Sequence, residues 1–388
     1  MTYCVYDIII TSPTYLPHYG TRSLPRPHAY HYKQRRVDRC RGNRPVHTHY
    51  PSIATVVADT RDYYNTQAME YLKLSSGGSM PMVGYGTWQA VDNVLESALN
   101  EALESGYRHI DTATAYKNEH VIGKVLNEWI TSGKVTRDEL FIVTKLPPFK
   151  NRPEDLEGCL KKSLEDLQLD YVDMYLVHTP FSVTEGETPA YSGMKIDVST
   201  DHLAIWEMME KQVTCGRAKA IGLSNFNVKQ IQRVLDNCKI KPDNLQVENH
   251  LYLQQPELVE FCKSNGIAVT AYSCLGAKGG REVMGFSWTK ELPEMLENDV
   301  VLSIAEKHGK TAAQVLLRFI VQKGIVVIPK STNPQRLALN IQIFDFKLDE
   351  QDMEALIAQD AGEGGRMMRL QFFAGITDHP EYPFEKSA

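Results

Sequence analysis

Four polar side chains, a carboxylic acid, a phenol, an amine and an imidazole, stand at the ends of three successive apolar runs in this chain of 388 residues. The run from Tyr107 to Ile110 delivers Asp111, and Tyr116 follows in a polar loop. The run from Leu140 to Thr144 ends in Lys145, and the run from Tyr171 to Val177 ends in His178. Each run has the length and composition of a strand. In a parallel barrel the carboxyl ends of the strands share one face, and active sites are built there. Gathered on that face, the four groups can hold a phenol as proton donor beside a hydride carrier.

Reducing a carbonyl takes a hydride at carbon and a proton at oxygen. Tyr116 is the expected acid, although a phenol with a pKa of about 10 releases its proton reluctantly at neutral pH. A neighbouring ammonium favours the phenolate, which is the role expected of Lys145. Asp111 is expected to hold Lys145 in place and keep it charged. His178 is expected to orient the carbonyl and to donate a hydrogen bond as charge develops on its oxygen. Each residue alone has a plainer explanation: a packing tyrosine, a solvated or ion-paired Lys or Asp, a satisfied core histidine. Their shared position at the same end of three strands favours the functional one.

The rest of the chain from Met69 onward alternates short apolar runs with amphipathic stretches. Eight candidate strands lie at 82–86, 107–112, 140–145, 171–178, 218–224, 244–249, 267–273 and 325–330. Helical periodicity covers Val91–Ser105, Pro153–Leu167, Val228–Asn237, Pro256–Ser264 and Thr311–Val321. Thr311 and Gln314 form a capping-box signature, and Gly309 suits the end of the preceding helix. Eight such alternations predict an α/β fold, a (β/α)8 TIM barrel. A doubly wound sheet is the competing architecture, but no G-x-G-x-x-G follows an early strand. Leu72–Pro81 reads as an N-terminal hairpin plugging the barrel bottom. The long connections 179–201 and 274–291 and the Gly-rich, aromatic tail 361–388 are expected at the carboxyl-end face.

Residues 1–68 differ in character, with nine Lys/Arg against four Asp/Glu and five of the twelve histidines. They carry no sustained period and read as a disordered extension, or as an over-extended gene model ahead of Met69. The remaining residues sum to about −11 of the net −6, which argues against a nucleic-acid partner for the main body. The seven cysteines are scattered without a CxxC, so neither a disulfide scaffold nor a metal site is expected. With no apolar run near the ~20 residues of a membrane helix and no signal peptide, a cytoplasmic globular protein is expected.

Several ordered motifs resemble the aldo-keto reductase family from about Leu72 to Phe384. They are Gly84-Tyr-Gly-Thr-Trp88, Gly106-Tyr-Arg-His-Ile-Asp-Thr-Ala, Thr144-Lys145-Leu, Asp173-Met-Tyr-Leu-Val-His178, Ile221-Gly-Leu-Ser-Asn-Phe226, Gln246-Val-Glu-Asn-His250, Ala271-Tyr-Ser273 and Ile328-Pro-Lys-Ser331. The resemblance assigns Asp111, Tyr116, Lys145 and His178 the roles argued above. It also implies carbonyl rather than C=C reduction, because the family's steroid double-bond reductases carry a glutamate in place of His178.

For the cofactor, the resemblance implies NADPH over NADH, with the 2′-phosphate at Lys330, Ser331 and Arg336. Two cations and a hydroxyl suit that charge. Ser224, Asn225 and Gln246 would face the nicotinamide carboxamide, and Tyr272 would stack on its ring. Ser273 and Leu275 would meet the pyrophosphate and Asn340 the adenine, with Gly86, Thr87 and Trp88 completing the site. Leu339 departs from the acidic or amide residue usual beside that Asn, and Cys274 stands where proline is common.

The substrate pocket is expected to use Trp88, Tyr85, Pro147, Thr179 and Phe181 with some of Phe286, Trp288, Phe372 and Phe373. Pro147 and Thr179 replace tryptophans of aldose-reductase-like members, implying a wider pocket. The reading is a monomeric, metal-free NADPH-dependent reductase of aldehydes and ketones, with bulky ones admitted by the wider pocket. Two alternatives stay open: a dedicated steroid or ecdysteroid 3-keto reductase, and an NADPH-binding regulatory or structural subunit with little turnover.

Overall fold

A hairpin of two short strands, β1 (Tyr71–Lys73) and β2 (Ser79–Pro81), opens the described part of the chain. The structure is a computed structural model and describes residues 69–184, 194–277 and 293–385. The predicted extension 1–68 and most of the second long connection therefore lie outside the described residues. After the hairpin come β3 (Tyr85–Gly86), β4 (His109–Asp111), β5 (Phe141–Leu146) and β6 (Val172–Val177). A ribbon of two-residue strands, β7 (Ser182–Val183) and β8 (Ile196–Asp197), interrupts the series. It resumes with β9 (Ala218–Ser224), β10 (Asn244–Glu248), β11 (Ala268–Tyr272) and β12 (Val326–Val327).

The eight strands β3, β4, β5, β6, β9, β10, β11 and β12 neighbour one another in that order, and each adjacent pair is parallel. The first and last then meet. Val83 bridges Val327 in parallel, Gly84 N–H donates to the Val327 carbonyl at 2.8 Å, and Val327 N–H donates to the Met82 carbonyl at 2.9 Å. This is the (β/α)8 barrel. β5 and β6 are buried along their whole length, as strands covered on both faces must be.

The helices of the described residues are α1 (Asp92–Glu104), α2 (Glu119–Thr131), α3 (Pro153–Leu167), α4 (His202–Thr214) and α5 (Val228–Leu235). They continue with α6 (Pro256–Ser264), α7 (Asp299–His308), α8 (Ala312–Gln322), α9 (Pro334–Ile341) and α10 (Glu350–Ile357). Local chemistry sets their ends. Pro153 and Pro256 occupy first turns, where no N–H is needed. Thr311 caps α8 in a capping box with Gln314, and Gly309 ends α7 with φ 61°. α3 buries Leu156, Leu160, Leu164 and Leu167, one face at helical spacing. At Gly123 a Cβ would lie 2.1 Å from the Asp166 carbonyl oxygen, so only glycine lets α2 approach α3 this closely.

The hairpin closes the amino end of the barrel. Ser75 Oγ donates to the Gly266 carbonyl at 2.5 Å and Ser76 N–H to Asp243 Oδ1 at 2.8 Å, both partners standing just before strands. Leu74 and Met80 enter the core behind these contacts. At the carboxyl end the tail from 361 onward packs Leu370, Phe373 and Ile376 against Phe181 and Val183. Buried Glu248 accepts the N–H groups of Met367 and Met368, each at 2.8 Å, and Arg233 donates to Glu381 at 2.7 Å.

Candidate active site

Asp111 ends β4, Lys145 is the penultimate residue of β5, and His178 directly follows β6. Tyr116 closes a 3-10 turn, Thr114–Tyr116, that begins three residues after Asp111 and stops at Lys117, whose φ is 56°. Adjacent parallel strands ending at one level bring the four together.

Lys145 is fully buried, and each of its three N–H groups has a target. One donates to Asp111 Oδ1 at 2.6 Å, one to the Thr112 carbonyl at 2.8 Å, and one reaches Tyr116 Oη at 3.4 Å. The other oxygen of Asp111 accepts from Gln246 Nε2 at 2.7 Å. Burial pulls the Lys145 pKa down, while the Asp111 charge and hydrogen bond push it up. The ammonium also lies 5.0 Å from the centroid of the Tyr116 ring. A cation is thus held under the phenol by groups that leave it little freedom.

The His178 ring stands edge-on to Tyr116, with centroids 5.8 Å apart. Burial, and then the Lys145 charge, hold its pKa down to about 3, so the imidazole is neutral at ordinary pH. Its Nδ1 is buried and has no hydrogen-bond partner. The single proton of the neutral ring therefore belongs on Nε2.

A cavity of about 670 Å³ opens here, lined by Asp111, Tyr116 and His178 among others, with Lys145 beneath it. Every residue expected around a cofactor lines it: Gly86, Thr87, Trp88, Ser224, Asn225, Gln246, Tyr272, Ser273, Leu275, Lys330, Ser331, Arg336 and Asn340. Two of these have backbone in the left-handed region, Asn225 with φ 64° and Ser273 with φ 54°, each just past a strand. The Asn225 amide donates to the His178 carbonyl at 2.9 Å and accepts from Tyr272 Oη at 2.7 Å. Asn225 and Gln246 are thus already engaged by protein groups, a commitment their sequence positions did not signal.

At the opposite end, Lys330 and Arg336 flank the start of α9, which Asn333 caps through the Arg336 N–H at 3.0 Å. Burial lowers the Lys330 pKa and the Arg336 charge lowers it further. Among the described residues no carboxylate pairs with either cation. Unneutralised cations with the Ser331 hydroxyl beside a helix start fit a phosphate.

Three expected substrate contacts, Tyr85, Phe181 and Pro147, do not line the cavity. Tyr85 is fully buried, with its hydroxyl donating to the Ser331 carbonyl at 3.1 Å, because strand alternation turns it into the core. Phe181 packs in the cluster beneath the tail. Trp88, Thr179, Phe372 and Phe373 do line it, and Pro148 does so in place of Pro147. Phe286 and Trp288 lie outside the described residues. Unforeseen lining residues include Met368, Leu370 and Leu296, from segments without periodicity.

A sequence model of the Aldo/keto reductase family matches residues 80–360. The chain is 43% identical over 327 residues to aldo-keto reductase family 1 member A1 of Mus musculus, covering 80% of this chain and 97% of that one. The Homo sapiens protein of the same name is 40% identical over 326 residues, with coverage of 80% and 97%. Among solved structures, the aldose reductase from Schistosoma japonicum gives a TM-score of 0.73 at 38% identity, covering 82% of this chain and 100% of that one. The aldo-keto reductase AKR2E5 complexed with NADPH gives 0.72 at 38% identity, covering 82% and 95%.

Proposed function

The chain belongs to the aldo/keto reductase family, and from that premise we propose that it is an NADPH-dependent enzyme reducing aldehydes and ketones to alcohols with Tyr116 as proton donor. NADPH, when bound, supplies the hydride that reaches the carbonyl carbon. Tyr116 gives its proton to the carbonyl oxygen. Lys145 stabilises the phenolate left behind, and Asp111 keeps Lys145 charged and in place although it is buried. His178 is a neutral donor, so its Nε2–H polarises the carbonyl without competing as an acid.

The observation that carries this reading is the third N–H of Lys145, which reaches Tyr116 Oη at 3.4 Å while the other two are held by Asp111 and the Thr112 carbonyl. For the cofactor, the pair Lys330 and Arg336, which no carboxylate of the described residues neutralises, supports a 2′-phosphate together with Ser331. The remaining assignments follow the family resemblance, and all their residues line the cavity: Tyr272 would lie under the nicotinamide, Ser273 and Leu275 at the pyrophosphate and Asn340 at the adenine. The apolar wall of Trp88, Met368, Leu370, Phe372 and Phe373 suits small apolar carbonyl substrates. We further read the protein as a cytoplasmic monomer. Among the described residues no helix is long and apolar enough to cross a membrane.

The decisive experiment is Tyr116→Phe, assayed beside the parent with an aromatic aldehyde. NADPH binding should persist while reduction is lost. Turnover near the parental rate would mean that the proton comes from elsewhere.

A further inference from the structure

Glu119 is the first residue of α2, three residues beyond Tyr116, and is 4% exposed. A carboxylate at a helix start ordinarily faces water, but this one turns inward, where the close α2–α3 approach allowed by Gly123 places Ser163 beside it. Its Oε1 accepts from Thr144 Oγ1 at 2.6 Å, and its Oε2 lies 2.8 Å from Ser163 Oγ. Ser163 Oγ is 3.0 Å from Thr114 Oγ1, which is 3.1 Å from the carbonyl oxygen of Lys145. The string therefore runs from Glu119 to the turn that bears Tyr116, and from there to the backbone of Lys145.

Counting protons shows what the string requires. The Thr144 hydroxyl is used on Oε1. Three links remain between Oε2, Ser163, Thr114 and the Lys145 carbonyl, and the two remaining hydroxyls hold two protons. A bare carboxylate makes Ser163 donate to Oε2. Thr114 can then reach Ser163 or the Lys145 carbonyl, but not both. A proton on Oε2 satisfies every link in one direction: Glu119 to Ser163, Ser163 to Thr114, Thr114 to the carbonyl.

We propose that Glu119 is a positioning residue held as the neutral acid, its proton completing a one-way hydrogen-bond chain that fixes the Tyr116 turn against the Lys145 strand. This rests on the proposed role of Tyr116. Burial raises the Glu119 pKa, and the nearby Asp166 charge adds to that. The hydrogen bonds from Thr144 and Ser163 and the Lys145 charge oppose it only in part. The titratable groups facing it are Lys145 from β5, Asp166 from α3 and the buried phenol of Tyr175 from β6, which has Cys159 of α3 beside it. Asp166 is itself paired with Lys162 at 2.6 Å.

The test compares Glu119→Ala, Glu119→Gln and Ser163→Ala in the full chain, with difference infrared spectroscopy on the parent. The alanine at 119 should lower kcat at least about tenfold while leaving the NADPH Kd within about twofold, as expected when a reacting group shifts by a fraction of an ångström. Glutamine, which can accept from Thr144 and donate to Ser163, should rescue most of that loss. Ser163→Ala cuts the middle link and should lower kcat even if Glu119→Ala fails to fold. The parent at neutral pH should show a protonated carboxyl stretch that Glu119→Gln abolishes. A glutamine variant as impaired as alanine, or absence of that band, overturns the proposal. Parental kcat in both alanine variants does the same. The infrared band does not depend on turnover. Turnover retained by Tyr116→Phe would therefore sink the catalytic reading while leaving the protonation of Glu119 standing or falling separately.

Discussion

At the β4–β6 end of the cavity, charge is matched inside the protein: Lys145 has three partners, and both oxygens of Asp111 are occupied. At the β12–α9 end, Lys330 and Arg336 stand near each other with no carboxylate among the described residues to neutralise them. Both ends are polar, yet they are built for different tasks. Internal pairing fixes geometry before any ligand arrives, which a proton-transfer step requires. Unmatched cations are stable at a surface and gain most when an anion binds. In this cavity, completeness of pairing separates residues that position chemistry from residues that recognise a ligand.

That contrast can be broken at either end. The largest effect is expected from Tyr116→Phe, with kcat in steady-state reduction falling by roughly 10²–10⁴ while NADPH still binds. Next, Lys145→Met leaves the Asp111 carboxylate buried without its cation. It should destabilise the fold by about 3–5 kcal/mol in urea titration as well as abolish turnover. A stable Lys145→Met protein would show that the pairing at this end is not structural. At the other end, Arg336→Ala should weaken NADPH by about tenfold or more, the worth of a charge-assisted bond, with NADH scarcely affected. Its thermal stability should stay near parental, since among the described residues it has no carboxylate partner to lose. Equal weakening of both dinucleotides would misplace the phosphate.

His178 sharpens the comparison through pH. Its pKa is lowered from 6.5 to about 3, so the unfolded chain binds its proton more readily than the folded one. Its contribution to stability is therefore present above about 6.5 and is lost as pH falls from there toward 3. An NMR titration of the ring should show no ionisation between neutral pH and about 4, and an inflection near 6 would contradict its neutral role. The smallest effect is expected at the tail. Glu381→Ala releases the clasp to Arg233 and should raise KM for apolar carbonyls only about threefold, as for a partly exposed ion pair.

The barrel was legible because its strands are short, apolar and punctuated. All eight predicted runs overlap an observed strand, seven of them enclosing it and the third stopping one residue short of Leu146, and the predicted spans Pro153–Leu167 and Pro256–Ser264 are helices end to end. Proline at the first turn makes those starts unambiguous. The strands that meet at the seam, β3 and β12, are two residues each, and the seam rests on the one Val83–Val327 bridge and the backbone bonds beside it. Asp111, Lys145 and His178 were legible for the same reason, each directly following an apolar run, and Tyr116 was read from the polar loop five residues past Asp111. The wall they face was less so. Tyr85 and Phe181 look like pocket aromatics in sequence, but strand parity and the tail bury both. The contribution of Met368 and Leu370 depends on Glu248 holding the tail by two amides, a link across more than a hundred residues that leaves no local pattern. The helix Glu119–Thr131 was not among the predicted spans, nothing in the sequence set Glu119 apart, and only tertiary packing turns it inward.

The seam at Val83 and Val327 has a consequence for biogenesis. Until the last strand leaves the ribosome, the first presents an unsatisfied row of amides and carbonyls to its surroundings. A long nascent chain would carry an open, adhesive edge throughout that interval. Closing it joins distant parts of the sequence, which makes the final step slow and favours chaperone engagement before release.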